Sequence, residues 1–187
     1  MTGRQKGFSA ALGKLRWNEP EPFRILEIGI LRDDSIGSEE SDGWSTKYWV
    51  DFCFSVTKNR RVVGIEISPG HIETCLRFFS DRKTDISCLD LYLGDAIEII
   101  KTMSEISPTF KFDLVYLDGP SDPDYHLSLF SSPSFMKILR PSPVILIDDA
   151  GEKDQKIIEY IEKNNLGFKY EHISTSTKGM TIITQEK

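Results

Sequence analysis

Cysteine is scarce in this chain of 187 residues: Cys53, Cys75 and Cys88 are odd in number, widely spaced and set in apolar stretches. That pattern excludes a disulfide framework, because a buried thiol behaves as a small hydrophobe, and a reduced, cytoplasmic protein is expected. Long apolar runs are missing as well. None approaches the ~20 residues that cross a bilayer, and the opening MTGRQKGFSAALGKLRW lacks the apolar core of a secretion signal, so neither membrane nor export is expected. Positive charge is in short supply, with 23 Lys and Arg against 29 Asp and Glu and a formal net charge of −6. This opposes loose binding to nucleic acid, whose affinity comes largely from cations neutralising phosphates. The run Lys58-Asn59-Arg60-Arg61 is the local exception and reads as cations closing a helix. Repeats, low-complexity tracts and linkers are also lacking. An apolar share of 39% suffices for a sizeable core, so residues 1–187 are expected to form one domain.

Residues 23–29, 61–67, 88–94, 112–118 and 143–148 are short, β-branched, apolar runs that suit strands buried on both faces. Helical spacing lies between them, at Trp49, Phe52, Cys53 and Val56, at Ile72, Cys75, Leu76 and Phe79, and at Ala96, Ile99, Ile100 and Met103. Start signals precede several helices: Ser68-Pro69, Asp95 with Glu98, Ser132-Pro133, and Asp149 with Glu152. Strand and helix alternate, so the helices serve as crossovers in a parallel sheet covered on both faces. Only Ser174 to Lys178 join the last two apolar runs, Gly167–Ile173 and Gly179–Thr184, and so short a link demands an antiparallel hairpin. The predicted fold is therefore α/β, Rossmann-like and doubly wound, with a mostly parallel seven-stranded sheet whose last strand is antiparallel. Residues 1–20 are read as a helical extension whose apolar face carries Phe8, Ala11, Leu12 and Leu15. The irregular stretches 30–44 and 119–131 both follow strands at their carboxyl ends, where open α/β sheets bind ligands.

The strand ends deliver Glu27 and Gly29, Glu66, Asp95, Asp118, and Asp148-Asp149 to that one edge. An edge so acidic repels the pyrophosphate of a nicotinamide dinucleotide. It suits a cationic ligand or a metal. S-adenosyl-L-methionine, with a sulfonium, an ammonium and a ribose diol but no phosphate, fits better, and no G-x-G-x-x-G follows strand one.

From Phe23 onward the sequence resembles class I S-adenosylmethionine-dependent methyltransferases. The ordered matches are Leu26-Glu27-Ile28-Gly29, Gly64-Ile65-Glu66, Gly94-Asp95-Ala96, Phe112 to Gly119 and Ile145 to Asp149. The resemblance implies that Glu66 takes the ribose hydroxyls, that Gly29 admits the methionine end, and that Asp95 and Ala96 border the adenine. The glycine-rich first loop is interrupted after Gly29 by an insertion, LRDDSIGSEESD, before Gly43-Trp44-Ser45-Thr46 resumes its closing part. The insertion is read as a lid. Glu27, Gly29, Gly43, Ser45, Glu66, Asp95, Ala96 and Asp118 are thus the residues expected around the cofactor.

A narrower resemblance, to metal-dependent O-methyltransferases of the catechol and caffeoyl-coenzyme A type, implies that Asp118, Asp148 and Asp149 hold Mg²⁺ or Mn²⁺. The metal would lower the pKa of an acceptor hydroxyl and aim it at the sulfonium methyl group. Those enzymes place a lysine base where this chain has Ser121, so His126 or the metal is the expected substitute, and Asp118 and His126 are the candidate catalytic residues. Alternatively, Asp149 merely caps the next helix. The expected acceptor is a small molecule or sugar, and with no separate substrate domain its selection falls on the two loops or on a partner subunit in a homodimer. Two rival readings are a catalytically silent subunit that keeps the fold for interaction and, more remotely, a nucleotide-dependent oxidoreductase.

Overall fold

The computed structural model describes residues 3–16, 22–35, 44–56, 59–174 and 179–185. Among these residues seven strands form one sheet: β1 (Phe23–Ile28), β2 (Arg60–Glu66), β3 (Leu89–Leu93), β4 (Phe112–Leu117), β5 (Leu139–Asp148), β6 (Phe168–Ile173) and β7 (Met180–Gln185). Their order is β3-β2-β1-β4-β5-β7-β6. β1 to β5 are parallel, and β7 runs antiparallel to both β5 and β6. The hairpin and the reversed last strand are as expected.

Successive strand residues face opposite sides, so Ile25, Val62, Leu114, Val144 and Ile182 enter one core and Leu26, Val63, Val115, Ile145 and Ile183 the other. The first core is covered by α1 (Gly3–Lys14), α2 (Ser45–Val56) and α3 (Pro69–Asp81), through Phe8, Trp49, Cys53, Cys75 and Phe78. α4 (Ala96–Ile106), α5 (Pro123–Ser131), α6 (Pro133–Lys137) and α7 (Gln155–Asn164) cover the second, through Ile100, Phe130, Phe135 and Ile157. The three cysteines are buried thiols, none of them in a disulfide among the described residues. Among the described residues no helix is long and apolar enough to cross a membrane.

Three start signals act as read. Ser68 accepts from the His71 amide, Asp95 from those of Ile97 and Glu98, and Ser132 from that of Phe135. The fourth does not. Asp149 lies in the left-handed region (φ 52°), a turn follows it, and α7 begins only after Asp154. Asp154 is buried and accepts from the Gly151 amide (2.6 Å) and from the Thr181 hydroxyl. The stretch 119–131 is not wholly irregular either, because Asp122 caps α5 through the Asp124 amide. β5 begins at Leu139, ahead of the run expected at 143–148, and its register slips between the Phe112–Leu139 and Leu114–Val144 pairs. The prolines fit there because a bulge frees them from ladder hydrogen bonds. Arg60 and Arg61 open β2 rather than close a helix, and Lys58 lies outside the described residues.

Candidate functional site

The sheet reverses its winding between β1 and β4, and the chain must part there above the carboxyl ends of the two strands. A pocket of about 450 Å³ opens at this point, walled by Gly29, Glu66, Gly94, Asp95, Asp118 and Tyr125, among others. Gly29 is its floor. Its φ is 81°, and a β-carbon there would lie 2.3 Å from the Asp118 carbonyl oxygen. Only glycine permits that approach, which also lets the Gly29 amide reach Ile65 O at 3.0 Å and the Asp118 amide reach Ile28 O at 2.8 Å.

Glu66 ends β2 with its side chain at the pocket wall and 8% exposed. One carboxylate oxygen accepts from the Ser68 amide at 2.8 Å and lies 3.3 Å from His71 Nδ1; the other accepts a long bond from the Ile30 amide at 3.4 Å. A carboxylate offers about four lone-pair sites, so capacity remains for a diol. Asp95 and Ala96 follow the neighbouring strand β3, whose Gly94 amide donates to the Glu66 carbonyl at 2.9 Å; Asp95 caps α4 and also lines the pocket, so capping and lining coexist. Tyr125 completes this side. Burial first, then the charge of Asp95, push its hydroxyl up to about 12, so it stays a neutral phenol at physiological pH.

Other expected residues lie elsewhere. Glu27 is fully buried in β1 beside its register partner Tyr116, and Ser45 is buried at the first residue of α2; neither walls the pocket. Thr46, not Ser45, anchors the first loop, by accepting from the Leu31 amide at 2.8 Å. Leu31 itself is in the core, so the insertion is packed where it begins, and Asp34 pairs with Arg77 at 2.9 Å. Gly43 and residues 36–42 of the expected lid lie outside the described residues. His126 is not a loop residue: it lies in α5, fully buried, with Nε2 2.7 Å from the Pro120 carbonyl. Donation to that carbonyl commits the Nε2 proton. Burial pulls its pKa down, which leaves a neutral ring that braces the turn beneath the pocket rather than a base facing it.

The three acids do converge. β5 ends at Asp148, and the left-handed turn at Asp149 brings its side chain round to the same side, so that one oxygen from each of Asp118, Asp148 and Asp149 lies within 4.8 Å of the others. That spacing would suit a divalent ion. The cations among them, however, are the chain's own. Lys153, 2% exposed, places Nζ 2.6 Å from Asp118 Oδ1 and 3.2 Å from Asp149 Oδ2. From α1, Arg4 reaches Asp148 Oδ2 at 3.0 Å and Asp118 Oδ2 at 3.6 Å. A unit of like charge at 4 Å is worth ~4 kcal/mol at the effective dielectric of protein, so a dication beside Lys153 alone would meet repulsion of ~8 kcal/mol. The oxygens fit a metal; the charges do not. Asp148 carries the strain of the grouping, its carboxyl pushed up to about 7 by burial and then by Asp118.

Sequence reasoning missed Arg32, His71 and Tyr125 in the pocket wall, and Arg4 and Lys153 in the charge cluster. Lys153 had a local signal, standing four residues after Asp149 on what becomes one turn. Arg4 had none, being more than a hundred residues from both of its partners.

No family model matches the sequence, and no curated protein matches it. Solved structures do. Human methyltransferase-like protein 13, in complex with S-adenosylhomocysteine, aligns with a TM-score of 0.65 over 100% of this chain and 83% of its own, at 19% identity. An S-adenosylhomocysteine-bound methyltransferase from Podospora anserina gives 0.64 over 100% and 80%, again at 19%. A structure described as an rRNA methylase from Streptococcus thermophilus gives 0.63 over 100% and 98%, at 9%. At such identities the likeness is one of fold. The chain has the class I methyltransferase fold, with the seven strands and the reversed β7 that define it.

Proposed function

We propose that this protein is an S-adenosylmethionine-dependent methyltransferase acting on a hydroxyl of a small molecule or sugar. The observation that carries the reading is the pocket at the β1/β4 reversal, which brings Gly29, Glu66, Asp95 and Asp118 to one cavity of about 450 Å³. Glu66 would accept from the ribose diol, Asp95 and Ala96 would border the adenine, and the close turn at Gly29 would leave room for the methionine end. An acidic wall favours the sulfonium and ammonium groups.

Transfer needs little covalent help from the protein. A lone pair of the acceptor oxygen forms the new bond to the methyl carbon, the carbon–sulfur bond breaks, its electron pair returns to sulfur, and the acceptor's proton passes from the oxygen to solvent water. Positioning in line is the main contribution. Asp118, the one member of the charge cluster that also lines the pocket, is placed to accept a hydrogen bond from the hydroxyl and orient it. Metal assistance is not carried into this mechanism, because Lys153 and Arg4 already hold the oxygens a metal would take. The net charge of −6 favours a small acceptor over a nucleic acid.

The test is calorimetric titration with S-adenosylhomocysteine, followed by transfer of labelled methyl from S-adenosylmethionine to a panel of hydroxylated acceptors in the presence of chelator. Saturable binding and label on an acceptor support the proposal. No binding at millimolar ligand would refute it, and binding without transfer would favour the silent-subunit reading.

A further inference from the structure

Behind the pocket lies a buried group of charges of which Asp118 alone also lines the pocket wall. Asp118, Asp148 and Asp149 converge from the ends of β4 and β5, with Lys153 and Arg4 between them. Tyr116, fully buried in β4, adds a hydroxyl with no hydrogen-bond partner among the described residues. The cations come from two unrelated places. Lys153 is fixed by the turn before α7, and Arg4 by the first turn of α1, which is anchored to the sheet where Phe8 packs on Trp49 and Tyr116. Both are at least nine-tenths buried, as are Asp118 and Asp148, so neither cation is a surface side chain in passing contact.

We propose that this cluster is a divalent-cation site whose place is taken by the chain's own ammonium and guanidinium groups, so that removing Lys153 and Arg4 would turn it into a metal site. Three oxygens spaced for one ion are already assembled, and the protein rather than the solvent supplies the counter-charge. Lys153 and Arg4 are thereby positioning residues. They fix the carboxylate of Asp118 at the pocket wall while lying outside the pocket lining themselves, and Arg4 makes the helix α1 part of the site. The inference deepens the methyltransferase reading but is tested apart from it.

Mn²⁺ alone is the probe, followed by its free-ion electron paramagnetic resonance signal at pH 7.5. The wild-type chain should show no saturable binding at the cluster below about 1 mM, a range already weak for oxygen-ligand sites. The Lys153→Met/Arg4→Met double variant should bind Mn²⁺ at least tenfold more tightly, and adding Asp148→Asn should abolish that gain. Lys153→Arg, which keeps the charge, should remain as blind to Mn²⁺ as the wild type and serves if the double variant fails to fold. The wild-type melting temperature should be the same in EDTA and in Mn²⁺ within about 1 °C, since a ligand that binds only the native state raises it. Micromolar Mn²⁺ binding by the wild type, lost in Asp148→Asn, would overturn the proposal. So would a folded double variant with no gain, or a Lys153→Arg variant that binds Mn²⁺. S-adenosylhomocysteine binding, measured on the same samples, reports on the methyltransferase reading separately: its loss leaves the Mn²⁺ result standing.

Discussion

Gly29→Ala separates what the fold requires of that glycine from what a ligand requires. At φ 81° an alanine is held in the left-handed region, at a cost of ~1–2 kcal/mol. Its β-carbon would also lie 2.3 Å from the Asp118 carbonyl oxygen and 2.9 Å from the carbonyl carbon. Backbone cannot swing aside as a side-chain end can, so β1 and β4 must separate, straining the Asp118 amide bond to Ile28. Overpacking of this kind costs ~1–3 kcal/mol, which brings the total to about 2–5 kcal/mol. For chains of 150–250 residues each kcal/mol lowers Tm by ~2–4 °C, so a fall of roughly 4–20 °C is expected. Thermal unfolding by circular dichroism measures it, with and without S-adenosylhomocysteine. Gly64→Ala is the comparison. A β-carbon there meets side chain rather than backbone, the γ-methyl of Ile30 and a terminal methyl of Leu91, each at 2.8 Å, and the loss should be smaller. A Gly29→Ala protein that melts with the wild type but has lost ligand affinity would refute the reasoning, since the glycine would then serve only the ligand.

Three further outcomes are expected. Glu66→Ala should weaken S-adenosylhomocysteine about tenfold or more by calorimetry, because a charged hydrogen-bonding partner is worth ~1.5–3 kcal/mol; unchanged affinity in a folded variant would remove Glu66 from the site. Asp148 releases its proton near 3.8 when unfolded but only near 7 when folded, so the native state holds the extra proton between those values. Its contribution to stability is therefore full below about 3.8 and lost as pH rises to about 7. Asp148→Asn should flatten that part of the profile in urea unfolding at pH 5 and pH 8, and an equal slope in both proteins would contradict the assignment. Asp154→Ala should destabilise by ~1–3 kcal/mol, since it removes the acceptor of the Gly151 amide and leaves the buried Thr181 hydroxyl with His172 Nδ1 as its remaining partner, and urea unfolding in which Asp149→Ala proved the more damaging would restore Asp149 as the cap.

What the sequence made legible depended on the range of the physics involved. Ser68, Asp95 and Ser132 were readable as caps because a cap is settled within three residues. Asp149 carries the same local signal and was misread, because Asp154 is tied to the sheet through Thr181, a contact across 27 residues that no window contains. Local signals leave the β5 prolines Pro141 and Pro143 undecided for the same reason. A proline forbids a ladder bond, but whether the chain then turns or bulges depends on β4 alongside it. Asp122-Pro123 is a helix start of the same local kind, and it sets His126 in α5 under the pocket rather than in the irregular stretch expected at 119–131.

The site divides along the same line. Glu66, Asp95 and Asp118 stand where strands end, and strand ends follow from periodicity, so the acidic edge is legible in the sequence. Its charge balance could not. A carboxylate announces itself in the sequence, whereas the cation that answers it is chosen by whichever side chain the fold carries within about 4 Å. Here one of those, Lys153, is four residues from an acid and the other, Arg4, arrives on a helix at the far end of the chain. An unbalanced set of acids in a sequence therefore specifies that some cation must be present, and leaves its identity to the tertiary structure. An ion is the simplest answer when only the acids are visible, and two buried basic side chains are the answer this fold supplies.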